Sequence, residues 1–409
     1  MQPGTTSPIS GDRVTLDVAG ARVFPILALV GLAALAVGAG LGAIRGDGFV
    51  YFLHSYLTNY IYVLSIALGT LFFVLIQHAT RAGWSVAVRR IAELLAANVP
   101  LLCLLFLPIL VPILLGNHAL YEWTDSAAVA EDHLLQHKTP YLNVPFFGIR
   151  CVLYFAIWWL LTRYFLGRSV RQDESGQWTL TTSMERFSGP ALLLFAGTVT
   201  FASIDWVMSL EPRWFSTIFG IYYFAGAIVG GTAMIILAAV MLQASGRLRM
   251  SITTEHYHDL GKLLFGFVIF WGYIAFSQYL LIWYANIPEE TVYFLARQTN
   301  GWSPVSLALL VGHLLIPFFG LLPRAVKRRK GPLAFWCVWL LVFHWLDMYW
   351  LVMPNYATDA EPTLELIDLF LLVGLAALYL ASAVRMAGAR PLVPVHDPRL
   401  GESLAFENF

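Results

Sequence analysis

The sequence predicts an all-α integral membrane protein with about ten transmembrane helices, and three observations predict it. Of its 409 residues, 58% are hydrophobic and 12% are charged, whereas soluble domains are nearer a quarter charged. Ten separate apolar stretches reach the length, roughly 20 residues, that a helix needs to cross hydrocarbon while satisfying its own backbone. The basic residues between those stretches collect on alternate connections. Such a chain cannot hide its apolar surface in one globular core. With 25 basic and 25 acidic residues it also has no overall field to attract nucleic acid.

In order, the predicted spans are Phe24 to Ile44, Phe52 to Ile76, Leu94 to Leu115, Val144 to Phe165 and Gly189 to Leu210, then Thr217 to Leu242, Leu260 to Tyr284, Val305 to Leu322, Leu333 to Met353 and Leu364 to Val384. Pro108 and Pro112 should kink span three, and Pro317 and Pro323 span eight. Met1 to Ala21 is polar and lacks the basic start of a cleaved signal, so it reads as a disordered cytoplasmic tail. Residues 387–409 read as a second cytoplasmic tail. Placing the N-terminus in the cytoplasm puts 20 of the 25 Lys and Arg residues on that side. The remaining five are Arg45, Lys138, Arg150, Arg213 and Arg297. By the positive-inside rule both termini are cytoplasmic.

Cys103, Cys151 and Cys337 lie in apolar stretches at unrelated spacings. They match neither a haem-attachment motif nor a zinc motif and read as small apolar fillers. The longest outer loop, Gly116 to Asn143, carries Glu122, Asp125, Glu131, Asp132, His118, His133 and His137. His133 and His137 would share a helical face and could bind a metal; an exposed docking loop is the competing reading. Tyr51, Tyr56, Tyr60, Trp214, Trp283, Tyr284, Trp345, Tyr349 and Trp350 cluster near span ends, where interfacial anchoring accounts for them.

An internal repeat runs through the chain. Spans two to five (residues 52–212) overlay spans six to nine (residues 216–354), and Asp205 to Pro212, DWVMSLEP, matches Asp347 to Pro354, DMYWLVMP. Gly69-Thr70 echoes Gly231-Thr232, and Glu93-Leu94 echoes Asp259-Leu260. Four helices per unit make the repeat parallel, with both units entering from one side.

Ionisable groups inside spans are costly and mark candidate sites. Asp205 and Glu211 stand near the outer ends, as do His344 and Asp347, then Glu365 and Asp368. His344 and Asp347 are three apart, so the carboxylate is expected to orient the imidazole, and the pair could pass protons or line a quinone pocket. A structural hydrogen bond between helices is the alternative. Asp205 and Glu211 are expected to cap the turn after span five and pair with Arg213, or to contribute to that pocket. Near the inner ends, His258 and Asp259 sit in the dense string EHYHDLGKLLFGF and could form the mouth of a proton path. Its competing reading is a solvated helix start, with Asp259 at the N-terminal dipole. His313, near mid-membrane, reads as structural.

The strings DWVMSLEPRWFSTIFG (Asp205 to Gly220), HDLGKLLFGF (His258 to Phe267) and FSQYLLIWYANIPEE (Phe276 to Glu290) resemble the ActF-type membrane subunit of bacterial alternative complex III, within the NrfD/polysulfide reductase membrane-subunit family. The resemblance covers about Val23 to Arg385 and leaves out the tails and the Gly116 to Asn143 loop. It implies two parallel four-helix bundles flanked by two peripheral helices. It also implies a place in the bacterial cytoplasmic membrane and in a quinol:cytochrome c oxidoreductase. The implied partners are a sister NrfD-like subunit, an iron–sulfur subunit and c-type cytochrome subunits. In that setting this chain carries no redox cofactor of its own. It would contribute a proton path through His258, Asp259, Asp205, His344 and Asp347, with quinone or menaquinone the candidate ligand near Asp205, Glu211, His344 and Asp347. A stand-alone secondary transporter and a purely structural membrane anchor are the rival readings.

Overall fold

The computed structural model describes residues 11–357 and 361–408. It contains ten helices long and apolar enough to cross a membrane: Asp17–Arg45, Val50–Ala79, Val86–Leu114, Val144–Ser175, Trp178–Leu210, Phe219–Ala244, Thr254–Ala285, Ser303–Leu321, Lys330–Asn355 and Leu366–Ala387. No strand occurs among the described residues. Each predicted span falls on one of these helices. The largest difference in length is at spans four and five, which run on to Ser175 and start at Trp178, turning an expected loop into a helical hairpin. Gln172 stitches that hairpin through Thr181 at 2.7 Å.

Spans two to five close into one ring of contacts and spans six to nine into another, while span one packs on span ten at the side. Span two is 89% buried over its most apolar window and span one 17%, which separates the hub from the periphery. Spans two and six cross at the centre, and the crossing needs glycine. A β-carbon at Gly69 would stand 1.9 Å from the carbonyl oxygen of Ala227, and one at Gly231 would stand 2.6 Å from the carbonyl carbon of Gly69. The two glycines matched in the repeat therefore touch each other, as equivalent residues do on a two-fold axis.

Span three breaks at Ala97-Asn98 and at Phe106, just ahead of Pro100 and Pro108, and Pro112 lies within its last piece. Carbonyls freed by these breaks find side chains: Leu105 accepts from Tyr56 at 2.8 Å, Leu102 from Tyr60 at 2.9 Å and Leu95 from Asn98 at 3.0 Å. Tyr56 and Tyr60, expected at the interface, are thus buried donors. Trp283 and Tyr284 are exposed as expected. Span eight contains a π-helical turn at Leu310–Leu315 ahead of Pro317, and it ends just before Pro323. In π register the partner of the Gly312 carbonyl would be Pro317, which has no N–H. Nε1 of Trp339 supplies the missing donor at 2.7 Å.

From Gly11 onward, the segment expected to be a disordered tail is built into the fold. Asp12 accepts from the backbone N–H groups of Arg249, Met250 and Ser251 at 2.9–3.0 Å, and the first helix starts at Asp17. The C-terminal segment lies across the same face, where Asp397 pairs with Arg89 and Ser403 donates to the carbonyl of Trp84 at 2.6 Å.

Replacing Gly69 by Leu should destabilise the protein by about 3 kcal/mol, the upper end for an overpacked core. Gly197→Leu, on span five where a β-carbon meets nothing within 4 Å, should be nearly neutral. Thermal unfolding in detergent compares them, and equal midpoints would remove the crossing from its central role.

Candidate functional site

The repeat places Asp205 and Asp347 at matching positions, and their surroundings are opposite. Both are fully buried. Asp205 is clamped by Arg150, whose Nε and Nη2 donate to its two oxygens at 2.7 and 3.0 Å, and the Tyr154 hydroxyl adds a third bond at 2.7 Å. Arg150 also donates to the carbonyl of Tyr141 at 2.8 Å and stacks on that ring. This is a satisfied bidentate ion pair between spans four and five.

Asp347 has no cation in contact among the described residues. Its Oδ1 accepts from the hydroxyl of Tyr222 on span six, and its Oδ2 from Nε1 of Trp271 on span seven at 3.0 Å. A carboxylate held by neutral donors can be charged or protonated without moving. One clamped by a guanidinium cannot take up a proton without leaving a buried cation alone.

His344 does not bond Asp347. Its Nε2 contacts the Ser65 hydroxyl of span two at 2.7 Å, and its Nδ1 has no partner. Both groups still face one niche, because a β-carbon at Gly226 would stand 3.1 Å from Nδ1 of His344 and 3.6 Å from Oδ2 of Asp347. The imidazole lies in the slot left by Gly226 and Gly230. His313 joins from the π-helical turn, with its ring centroid 3.9 Å from that of Trp271 and 6.4 Å from that of His344. Both of its ring nitrogens are buried without a partner. The cluster of Tyr222, Trp271, His313, His344 and Asp347 therefore draws on all four spans of the second unit, and Ser65 adds the hub helix of the first.

The other expected residues stand apart from it. Arg213 pairs with Glu122 and Asp132 at 2.7 and 2.8 Å, not with Asp205 or Glu211. Burial pushes the Glu211 carboxyl up, against the pull of Arg213, Arg297 and Lys138. Asp368 accepts from Tyr51 at 2.7 Å, from Ser55 at 2.5 Å and from the backbone N–H of Glu365 at 2.8 Å, so it caps span ten. On the face bearing the termini Asp259 pairs with Lys262, and Glu255 with Arg328. His256 accepts from the N–H of Thr253 at 3.0 Å to close the start of span seven. His258 is buried with an unpartnered Nδ1. It stands 13 residues from Trp271 on the same helix, about 20 Å along the axis, so the groups near the two ends of the bundle are separate. His133 and His137 share a short exposed helix, and no group of three His, Cys, Asp or Glu is placed to hold a metal among the described residues.

A cavity of about 610 Å³ opens beside the cluster, and Tyr222 and Trp271, the two donors to Asp347, form part of its wall. Asp205, Glu211, His344 and Asp347 themselves do not line it. Tyr222 and Trp271 carry no signal in the sequence, being aromatic residues in apolar runs, whereas His313 stood out there only as a structural group. A proline four residues after His313 was the one available hint of an irregular turn there. No family model matches the chain, and neither does any curated protein.

Arg150→Leu should cost about 3–5 kcal/mol, because it leaves Asp205 as an unpaired buried charge. Adding Asp205→Asn should recover much of that loss in thermal unfolding. Additive losses would show that the pair is not the source of the stability.

Proposed function

We propose that the chain is the non-haem membrane subunit of a quinol-oxidising respiratory complex of the alternative complex III type, and that its own chemistry is proton transfer at Asp347. The observation that carries this reading is a buried carboxylate held by two neutral donors, beside two histidines with unpartnered ring nitrogens and next to a cavity. Acid–base work needs a group whose charge is not locked by a fixed partner. In this scheme Asp347 exchanges a proton with His344 across the Gly226 niche, and His313 extends the chain of titratable groups. Asp205 is assigned a holding role by its bond to Arg150 rather than the proton-carrying role expected of it. His258, buried with an unpartnered Nδ1, is the inner counterpart.

Electron carriers belong to the partners in this reading: an iron–sulfur subunit, c-type cytochromes and a sister subunit of the same fold. The membrane is the bacterial cytoplasmic one, with both termini inside. A stand-alone transporter built from a parallel repeat would place its helix interruptions at matching positions in the two units. Here they fall on spans three and eight, which are not repeat mates.

Asp347→Asn in the assembled complex should lower quinol turnover and its proton release by about 100-fold, the lower end for a lost acid–base group, while haem content and assembly stay unchanged. Wild-type turnover and proton release in that variant would reject the proposal.

A further inference from the structure

The wall of the 610 Å³ cavity holds three buried polar residues that the proton scheme does not use, Arg297, Gln278 and Tyr293. Arg297 follows the short helix Pro288–Ala296 on the face opposite the termini and is 1% exposed. Its Nε, Nη1 and Nη2 donate to the carbonyls of Trp350, Tyr293 and Leu351 at 3.2, 3.0 and 3.0 Å. A guanidinium has five N–H groups, so two remain. All three acceptors are neutral, and Glu211 acts on Arg297 from beyond ion-pair distance. Gln278 is 5% exposed and has no hydrogen-bond partner among the described residues. The hydroxyl of Tyr293 is likewise buried and unpartnered. A buried cation without an anion is costly, and so are unpaired polar groups. Their convergence on one cavity describes a ligand.

Two features define that ligand. The cavity meets the outside between spans seven and eight, where Phe276, Leu307 and Leu310 are 57%, 60% and 48% exposed on an apolar flank; the ligand therefore enters from lipid. Its head must carry a permanent oxyanion, because a neutral head would leave the Arg297 charge unmatched. Arg297 lies in the connection between spans seven and eight, while Gln278 is seven residues inside the end of span seven, about 10 Å along its axis.

We infer that this cavity is a phospholipid site, with the phosphodiester on Arg297, the ester oxygens at Gln278 and Tyr293, and the acyl chains leaving over Phe276, Leu307 and Leu310. A lipid seated there keeps water from the outer side of Tyr222 and Trp271, and it does so whether or not Asp347 carries protons.

Native mass spectrometry of the full-length protein, or of its complex, after exhaustive detergent washing tests this. Wild type should retain a phospholipid, Arg297→Lys should keep it, and Arg297→Gln and Gln278→Leu should lower retention about ten-fold, the equivalent of a charge-assisted or buried hydrogen bond. Because Arg297→Gln also removes bonds to three carbonyls, the decisive arm uses delipidated wild type. That protein should take up phosphatidylglycerol from mixed micelles, should not take up diacylglycerol of the same chains, and should not lose the lipid to excess inorganic phosphate. Equal uptake of diacylglycerol, displacement by inorganic phosphate, or a quinone retained in place of phospholipid would each overturn the assignment. Activity of Asp347 variants plays no part in the readout.

Discussion

The close crossing of spans two and six is the contact on which the rest of the molecule depends. Lipid offers no hydrophobic drive to bring helices together, so they associate where small side chains let backbones touch. Gly69 and Gly231 provide that contact, and along span six Gly220 admits Thr200 of span five while Gly226 and Gly230 admit His344 of span nine. One helix thus receives a neighbour from each unit at backbone distance. A larger residue at Gly226 or Gly230 would push away the helix that carries the buried imidazole.

Around that hub the two units have taken different electrostatic solutions for the same carboxylate. Arg150 and Tyr154 hold Asp205 in the first, and Tyr222 and Trp271 hold Asp347 in the second. An ion pair in a low-dielectric interior stabilises only while both partners stay together, so the first unit is committed to its Arg150 clamp. Neutral donors impose no such commitment. The two carboxylates that the sequence match aligns therefore differ: one is locked in an ion pair and the other is held by neutral donors.

The face bearing the termini follows a different logic. Arg89, Arg90, Glu93, Asp173 and Asp397 form a buried ion-pair network that ties spans three and four to the C-terminal segment. Asp12 and Arg247 tie in the N-terminal segment, the latter through bonds to the carbonyls of Thr15 and Leu16 at 2.7 and 2.9 Å. Segments that look polar and unstructured in isolation are ordered here because helix ends leave backbone groups that need partners.

The number of spans and their order were legible in the sequence, because hydrophobic length is a local property and the bilayer imposes it on each segment separately. The Gly69 to Gly231 match could be read as a repeat, and the structure made it a contact. The identity of each polar residue's partner was not legible. Asp205 chose Arg150, 55 residues away, over the nearby Arg213, and Asp347 chose Tyr222 and Trp271 over His344, one turn away on its own helix. Side chains one turn apart on a helix are adjacent but are not obliged to bond. Which one finds a better donor depends on which neighbouring helix reaches it. That is set by packing, and packing was decided only when the two glycine-lined helices closed on each other.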